Sequence, residues 1–362
     1  MPRFLCYSLF LQFRPRYLTT MAATPALSPF SQAVVNAMRT IYPESLADKS
    51  FDNTGLLLES PFDAKQQLKK SVLLTTDLTK AVADEAIARR DSIIVAYHPI
   101  IFRGLKSLTL QDPQQKTLLR LAQEGISVYS PHTAVDAVPG GMADWLCDIV
   151  SGAVSNLSSG PQGQDQEHGS SSLRYSGIIY PKLGNNEISA TSVIPHTRTT
   201  IHPSPAPIPD GFEGAGAGRI VTFEIAQPLL VLIDLIGTAT GNPGALSIAI
   251  PHGASVPALR IKTVGVCPGS GSGVLMKGAE LPDLLFTGEL SHHEALAAIE
   301  RGSVVITLFH SNTERGYLFD VMQHKLAEAI KLELGGQGPT GAEPLVAVSR
   351  ADRDPYGFVV RK

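Results

Sequence analysis

Cysteine is scarce in this chain of 362 residues, which carries three: Cys6, Cys147 and Cys267. Because they are odd in number, far apart and form no CxxC pair, the sequence argues against a disulfide framework or a thiolate zinc site and indicates a reducing compartment. Long apolar runs are also missing. The best of them, residues 229–237, is much shorter than the roughly 18 residues that a membrane-spanning helix needs, and it carries Asp234. The sequence therefore predicts no membrane span.

An excess of charge is absent too, since the formal net charge is −3 at pH 7. With no basic stripe and no nuclear localisation run, the sequence predicts no direct binding to nucleic acid.

Acidic residues are missing from the amino terminus, and the first acidic residue of the chain is Glu44. Residues 1–27 combine arginines with hydroxyl side chains, which predicts a mitochondrial presequence; the alternative is a disordered extension upstream of a second start at Met21. We therefore expect a mitochondrial or cytoplasmic protein.

Apolar runs alternate with amphipathic segments along most of the chain. Helix starts are marked by Ser28-Pro29 and Asp112-Pro113, and buried strands by runs such as "SVLLTTD" and "SIIVAYHP". This alternation predicts an α/β protein in which mixed or parallel sheets are flanked by helices.

Two stretches interrupt the alternation: 151–177 is rich in Ser, Gly and Gln, and 196–218 is rich in Pro and Gly. Their histidines, including His196 and His202, are interpreted as solvated loop residues. The chain is thus divided into a leader (1–27), an N-terminal α/β lobe with metal ligands (28–150), linkers and weakly ordered loops (151–218), a middle segment (219–258) and a C-terminal α/β segment that completes the site (259–362).

Polar side chains collect at the carboxyl ends of the predicted strands, the edge at which open α/β sheets bind their ligands. The candidates that follow four such strands are His98, His132, Asp136, Glu289, His292, His293, His310 and Glu314. Because they come from distant parts of the chain, the pattern predicts one composite site.

His310 and Glu314 are the strongest local pair, because i, i+4 spacing at a helix start places an imidazole and a carboxylate side by side. Such a carboxylate binds one metal ion or bridges two; the alternative is an exposed pair that contributes roughly a few tenths of a kcal/mol. His132 and Asp136 repeat the spacing. Asp136 is a candidate metal ligand, and His132 is either a second ligand or a residue that holds a ligand in place. The alternative is that His132 is a loop residue and Asp136 a turn residue. Nitrogen and oxygen ligands suit Zn²⁺, Fe²⁺ or Mn²⁺ alike.

The adjacent pair His292-His293 is a poorer ligand pair. Neighbouring helical side chains point about 100° apart, so at most one of the two faces a shared site. The run "CPGSGSG", with Gly269, Gly271 and Gly273, presents backbone N–H groups that suit an anion at a helix start. It lacks the GK[ST] of a P-loop and the full GxGxxG spacing, and the alternative is a tight turn.

A family resemblance rests on six stretches: "FDNTGLLLE" (51–59), "AYHPIIF" (96–102), "SPHTAVDAVPGGMADWL" (130–146), "VCPGSGSGVL" (266–275), "TGELSHHEAL" (287–296) and "FHSNTERGYL" (309–318). They resemble, in the family's order, the NGG-one-interacting-factor-three family, whose bacterial members are labelled GTP cyclohydrolase I type 2 homologues. The tail "DRDPYGFV" (352–359) resembles the eukaryotic, fungal-like branch.

This resemblance implies a two-lobed α/β protein that assembles into a toroidal homo-oligomer, typically a hexamer. It implies a two-metal site in the cleft, in which Glu314 bridges the ions. The residues that it carries over are the ligands His98, Asp136, His310 and Glu314, the cleft residues Glu289, His292 and His293, and His132 beside the ligands.

One position departs from the bacterial pattern: Tyr97 stands where many bacterial members have a second histidine, a ligand of the second metal. The resemblance therefore implies one or two divalent ions per subunit. It also implies a hydrolase that opens the ring of a purine nucleotide with metal-activated water, with Glu289, His292 or His293 as general acid or base. The alternative is a non-enzymatic metal-binding protein that interacts with a transcriptional co-regulator, as the family name records.

Overall fold

The computed structural model of the chain describes residues 27–154, 193–241, 245–335 and 345–357. The predicted leader lies outside the described residues except for Leu27, as does much of the linker that follows residue 154. In the described ranges, no helix is long and apolar enough to cross a membrane.

Helices begin where the sequence supplies caps. The α-helices of the described chain are α1 (Pro29–Ile41), α2 (Lys80–Arg89), α3 (Pro113–Gln123), α4 (Thr133–Ala137), α5 (Met142–Ser151), α6 (Leu229–Ala239), α7 (Ser272–Leu275), α8 (His292–Glu300), α9 (Arg315–Tyr317) and α10 (Gln323–Glu333). α1 follows Ser28, whose Oγ accepts a hydrogen bond from the N–H of Ser31, and α3 follows Asp112 in the same way. Each has a proline in its first turn, where a missing N–H costs nothing, so both predicted helix starts are confirmed.

The strands of the described residues form two mixed sheets. They are β1 (Gly55–Leu58), β2 (Ser71–Thr75), β3 (Ile93–Ala96), β4 (Ser127–Ser130), β5 (His196–Pro203), β6 (Gly216–Pro228), β7 (Ser247–Ala249), β8 (Arg260–Ser270), β9 (Leu284–Glu289), β10 (Val304–Thr307) and β11 (Leu345–Val348). The first sheet has the order β1-β4-β3-β2-β11 and is parallel except at β1. The second has the order β5-β6-β8-β9-β10-β7 and is parallel across β8, β9 and β10. The predicted fold class is confirmed.

The central strands β2, β3 and β4 are buried along their whole length because helices cover both faces of the first sheet. Val72 and Leu74 of β2 pack into one cluster with α1 and α5, while Leu73 packs on the other face with α2 and α3. The first cluster also contains Phe286 of β9 and Ile306 of β10. The two sheets therefore share one hydrophobic core.

The structure differs from the predicted organisation at β5 and adds the sheet partner of β11. β5 lies in the predicted linker, yet it pairs antiparallel with β6 from His196 to Pro203. The side chains of β5 are half-buried or exposed. An edge strand that buries so little lacks the apolar pattern by which a strand is predicted from sequence. β11 lies in the predicted C-terminal segment but pairs with β2 of the first sheet, Leu345 opposite Ser71. Because paired strands come from distant parts of the chain, the local residue pattern does not predict which strand β11 pairs with.

Candidate metal centre

Three side chains from distant parts of the chain meet between the two sheets. His98 follows β3 of the first sheet, and His310 and Glu314 follow β10 of the second. His98 Nε2 lies 3.4 Å from Glu314 Oε2, and His310 Nε2 lies 3.5 Å from Glu314 Oε1. One potential ligand atom of each residue lies within 4.8 Å of the other two. The structure thus brings together three of the four predicted metal ligands.

These atoms fit a metal ion. Glu314 is 1% exposed. Among the described residues, four buried side-chain polar atoms have no hydrogen-bond partner, and two of them are His98 Nε2 and Glu314 Oε2. Buried polar atoms are rarely left without a partner. Donors at about 2.1 Å from a tetrahedral metal ion stand roughly 3.4 Å apart, close to the separations observed. The three residues therefore suit a divalent cation.

Asp77 orients His98. Its Oδ1 lies 2.9 Å from His98 Nδ1, so the other ring nitrogen faces Glu314. Burial lowers the pKa of His98, but the carboxylates of Glu314 and Asp77 outweigh burial and raise the pKa to about 10. Asp77 was not among the predicted site residues, although it ends a predicted strand and therefore lies where ligands are expected. A carboxylate behind an imidazole ligand is the usual partner of a metal-binding histidine.

Glu289 holds His310 in the same manner, with Oε1 at 2.9 Å from His310 Nδ1. The turn between His310 and Glu314 is not the regular helix that the spacing predicts, because residues Ser311–Thr313 form a 3₁₀ turn and α9 begins after Glu314. Phe309, just before it, has a φ of 67°, a left-handed conformation that is strained for a bulky aromatic residue. The pair therefore faces one site across a strained turn.

Asp136, the fourth predicted ligand, is not part of the cluster. It lies in α4, and its Oδ1 accepts a 2.8 Å hydrogen bond from the hydroxyl of Tyr97. Burial, with a contribution from Glu314, raises the pKa of Asp136 to about 7 against the opposing effects of His132, Tyr97 and His98. Burial and the nearby Asp136 raise the pKa of Tyr97 well above its usual value, so the phenol keeps its proton. The predicted four-residue ligand set is therefore not assembled here.

Asp52 holds His132 beside the cluster. Its Oδ1 lies 2.6 Å from His132 Nδ1, and its Oδ2 accepts a 3.2 Å hydrogen bond from the N–H of Thr133. Burial opposes ionisation of Asp52, but these bonds outweigh it and lower the pKa of the carboxyl group. The ring centroids of His132 and His98 stand 5.5 Å apart. Asp52 was also not singled out; its signal was its place in "FDNTGLLLE".

A cavity of about 710 Å³ contains the cluster. Its lining combines polar groups with an apolar wall, and includes Tyr97, His98, His132, Asp136, His310, Glu314, Leu46, Phe51, Phe102, Val274 and His202. Within the described chain the lining does not include Glu289, His292 or His293. The two adjacent histidines are exposed on the first turn of α8, with ring centroids 5.2 Å apart. The wall that these residues were expected to form is instead lined by Phe51 and by His202 near the end of β5.

The glycine run passes directly beside the cluster. At Gly269, where φ is 58°, an added Cβ would lie 2.5 Å from Glu314 Oε1 and 2.8 Å from His310 Nε2. Gly271 packs against Thr287, whereas Gly273 faces open space. The helix that follows has only four residues, so the anion-binding role of this run stays a prediction.

Alanine at Gly269 should displace Glu314 and His310 and weaken metal binding by at least about tenfold, because losing the support of a ligand costs roughly that much. The left-handed φ should add about 1–2 kcal/mol of destabilisation. The matched control is Gly273→Ala, whose methyl meets nothing. Zn²⁺ dissociation constants from competition with a chromogenic chelator provide the measurement, and equal values for the two variants would contradict this geometry.

This fold and site define a mixed α/β protein with a candidate divalent-metal centre between its sheets. A sequence profile of the Duf34/NIF3 family (NGG1p interacting factor 3) matches residues 31–335. The chain belongs to this family.

Individual relatives agree with that assignment. The NIF3 homolog of Schizosaccharomyces pombe is 41% identical over 326 residues, covering 90% of this chain and 96% of that protein. The NGG1-interacting factor 3 of Saccharomyces cerevisiae is 37% identical over 327 residues, covering 89% and 94%. A crystal structure of a Bacillus cereus protein related to NIF3 has a TM-score of 0.59 at 17% identity, covering 91% of this chain and 98% of that one. The family resemblance is confirmed, and the bacterial structure supports the fold.

Proposed function

We propose that this protein is a divalent-metal-dependent hydrolase that acts on a small nucleotide-like substrate, in the manner of a GTP cyclohydrolase I type 2 homologue. The observation that carries the proposal is the convergence of His98 Nε2 and Glu314 Oε2. These are buried polar atoms without hydrogen-bond partners, and both residues line a cavity large enough for a small molecule.

His98, His310 and Glu314 would hold the ion, while Asp77 and Glu289 fix the orientation of the two imidazoles. When bound, a divalent cation supplies the Lewis acidity that activates water near neutral pH. Glu289, His292 and His293 are the predicted candidates for general acid or base, and none of them is in the described lining of the cavity. Of these, Glu289 contacts the cluster directly.

The apolar wall of the cavity supports a planar substrate. Phe51 and Phe102 have ring centroids 6.3 Å apart, and each lies about edge-on to His132. Phe51 is 51% and Phe102 45% exposed, so each leaves aromatic surface free to stack on a flat ring such as a purine.

Purified protein loaded separately with Zn²⁺, Mn²⁺ and Fe²⁺ should hydrolyse at least one member of a panel of purine nucleotides, with product formation followed by chromatography. Chelation should remove the activity and the same metal should restore it. Absence of turnover at every loading would contradict the hydrolase proposal.

Metal affinity should rise with pH, because His98 must lose its proton before Nε2 binds an ion. With the pKa of His98 at about 10 in the metal-free chain, each ion bound below that pH releases a proton. The binding constant should then increase about tenfold per pH unit between about pH 7 and 9. Mn²⁺ titrations across this range provide the test, and a flat profile would contradict it.

The stability of the metal-free chain should change in the opposite sense. The pKa of His98 is raised from 6.5, so its contribution is fully present below pH 6.5 and is lost as the pH rises through about 10. Thermal unfolding of the metal-free chain over the same pH range provides the measurement, and the midpoint temperature should fall as the pH rises.

A second candidate function is metal-dependent binding of a protein partner without catalysis. The name of the Saccharomyces cerevisiae relative, NGG1-interacting factor 3, favours it. So do exposed apolar side chains on the loop beside the cavity, at Phe102, Leu105, Leu108 and Leu110. This function predicts stable capture of a transcriptional co-regulator, lost in a variant with serine at Leu105 and Leu108, together with no turnover at any metal loading.

A toroidal homo-hexamer and a mitochondrial or cytoplasmic location complete the proposal. Light scattering of the purified protein tests the first. A fluorescent protein fused behind residues 1–27 tests the second, and diffuse fluorescence would count against a presequence.

A further inference from the structure

The C-terminal segment, residues 349–356, contacts both parts of the chain that build the metal centre. The side chain of Asp352 is fully buried. Its Oδ2 accepts a 2.7 Å hydrogen bond from the backbone N–H of Thr76, and its Oδ1 lies 3.3 Å from Nη2 of Arg315. One carboxylate thus joins the end of β2 to the start of α9.

Each residue that Asp352 contacts is the sequence neighbour of a residue of the metal centre. Thr76 precedes Asp77, which orients His98. Arg315 follows Glu314, and its Nη2 also donates to Ser311 Oγ within the 3₁₀ turn. The ligand-bearing segments come from different sheets, so their separation depends on whatever ties them together.

The same segment also braces the strained turn. Ser311 Oγ donates a 2.9 Å hydrogen bond to Asp354 Oδ2, and the ring centroids of Phe309 and Tyr356 stand 5.7 Å apart. A residue in a sparsely populated conformation costs about 1–3 kcal/mol and persists only where its surroundings hold it there. Residues 354–356 supply two such restraints.

We propose that Asp352 is a positioning residue of the metal centre: it sets the distance between His98 and Glu314 by clamping Thr76 to Arg315. The inference rests on the proposed metal-binding function of the cluster. If Asp352 has only a structural role, its loss lowers the stability of the fold. Metal affinity then changes no more than it does in another variant that is destabilised equally.

Two variants separate these roles: Asp352→Asn and Asp91→Asn. Asp91 is a matched control because it is also a buried carboxylate paired with an arginine, Arg89, and it is tied to the opposite end of β2 through Ser71. In each variant the amide keeps the volume of the side chain but presents a donor to the arginine. Zn²⁺ dissociation constants and hydrogen exchange of peptides covering 309–317 are measured in the intact chain, with thermal unfolding for both.

The proposal expects a Zn²⁺ dissociation constant that is about 10–100-fold higher in D352N and within about twofold of the parent in D91N, as outer partners of ligands affect affinity by that much. Exchange in 309–317 should accelerate in D352N alone. If the parent binds Zn²⁺, equal constants for D352N and the parent, or equal weakening in both variants, would overturn the proposal. If the parent binds no Zn²⁺, the metal function fails, and exchange then decides separately whether Asp352 holds the turn: equal exchange in the two variants overturns it.

Discussion

Glutamine in place of Glu314 should abolish metal binding, and with it any metal-dependent turnover, while leaving the fold intact. One oxygen of Glu314 lies 3.4 Å from His98 Nε2 and the other lies 3.5 Å from His310 Nε2. The carboxylate of Glu314 is therefore the group that joins the two imidazoles of the cluster. The amide has almost the same volume but no charge, and its NH₂ group does not bind a cation. Affinity should fall by more than the roughly 10–100-fold that accompanies loss of an outer partner.

The matched control for this variant is Glu289→Gln. Glu289 also contacts His310, but its side chain is 54% exposed and it acts on the ring nitrogen that faces away from the cluster. We expect it to lose roughly 10–100-fold in affinity and retain a measurable site. Zn²⁺ competition titrations compare the two, with unfolding of the metal-free proteins to confirm that both fold. Parent-like affinity in Glu314→Gln would remove the basis of the metal centre.

Alanine at Asp144 should lower the free energy of unfolding by about 3–5 kcal/mol, the cost of leaving a buried charge without its partner. Arg219 of β6 is 3% exposed, and its Nε and Nη2 lie 3.3 and 3.2 Å from the carboxylate of Asp144 in α5. Its other donors bind the carbonyl oxygens of Gly216, Gly218 and Ala137. The pair fastens α5 to β6, one of the strands of the second sheet that this helix contacts, so its loss should loosen the packing of α5 on that sheet.

Asp148→Ala is the control on the same helix. Asp148 pairs with Arg198 at 2.6 Å, but its side chain is 39% exposed, and ion pairs of that kind contribute at most about 1 kcal/mol. Urea unfolding at equilibrium measures both variants. A loss for Asp144→Ala no greater than that for Asp148→Ala would show that Arg219 is satisfied by its carbonyl contacts.

Much of the candidate site was accessible from residue pattern, because strand ends and helix starts have local signatures. His98, His310 and Glu314 were found by their places after apolar runs, and the structure brings them together. The same rule failed to find Asp77, since a single aspartate after a strand looks like any turn residue. Asp352 stood in the tail "DRDPYGFV", but nothing in that tail predicted its role, because its partners Thr76 and Arg315 contact it only in the folded chain.

Local pattern was enough to establish the α/β class, the helix starts at Ser28-Pro29 and Asp112-Pro113, and the chemistry of the ligands, because periodicity and capping act over a few residues. The folded chain was needed to show that β5 is a strand, that β11 joins the first sheet, and that Asp136 pairs with Tyr97 outside the cluster. These features depend on pairing and burial between distant segments, and such contacts are selected by the packing of the whole core.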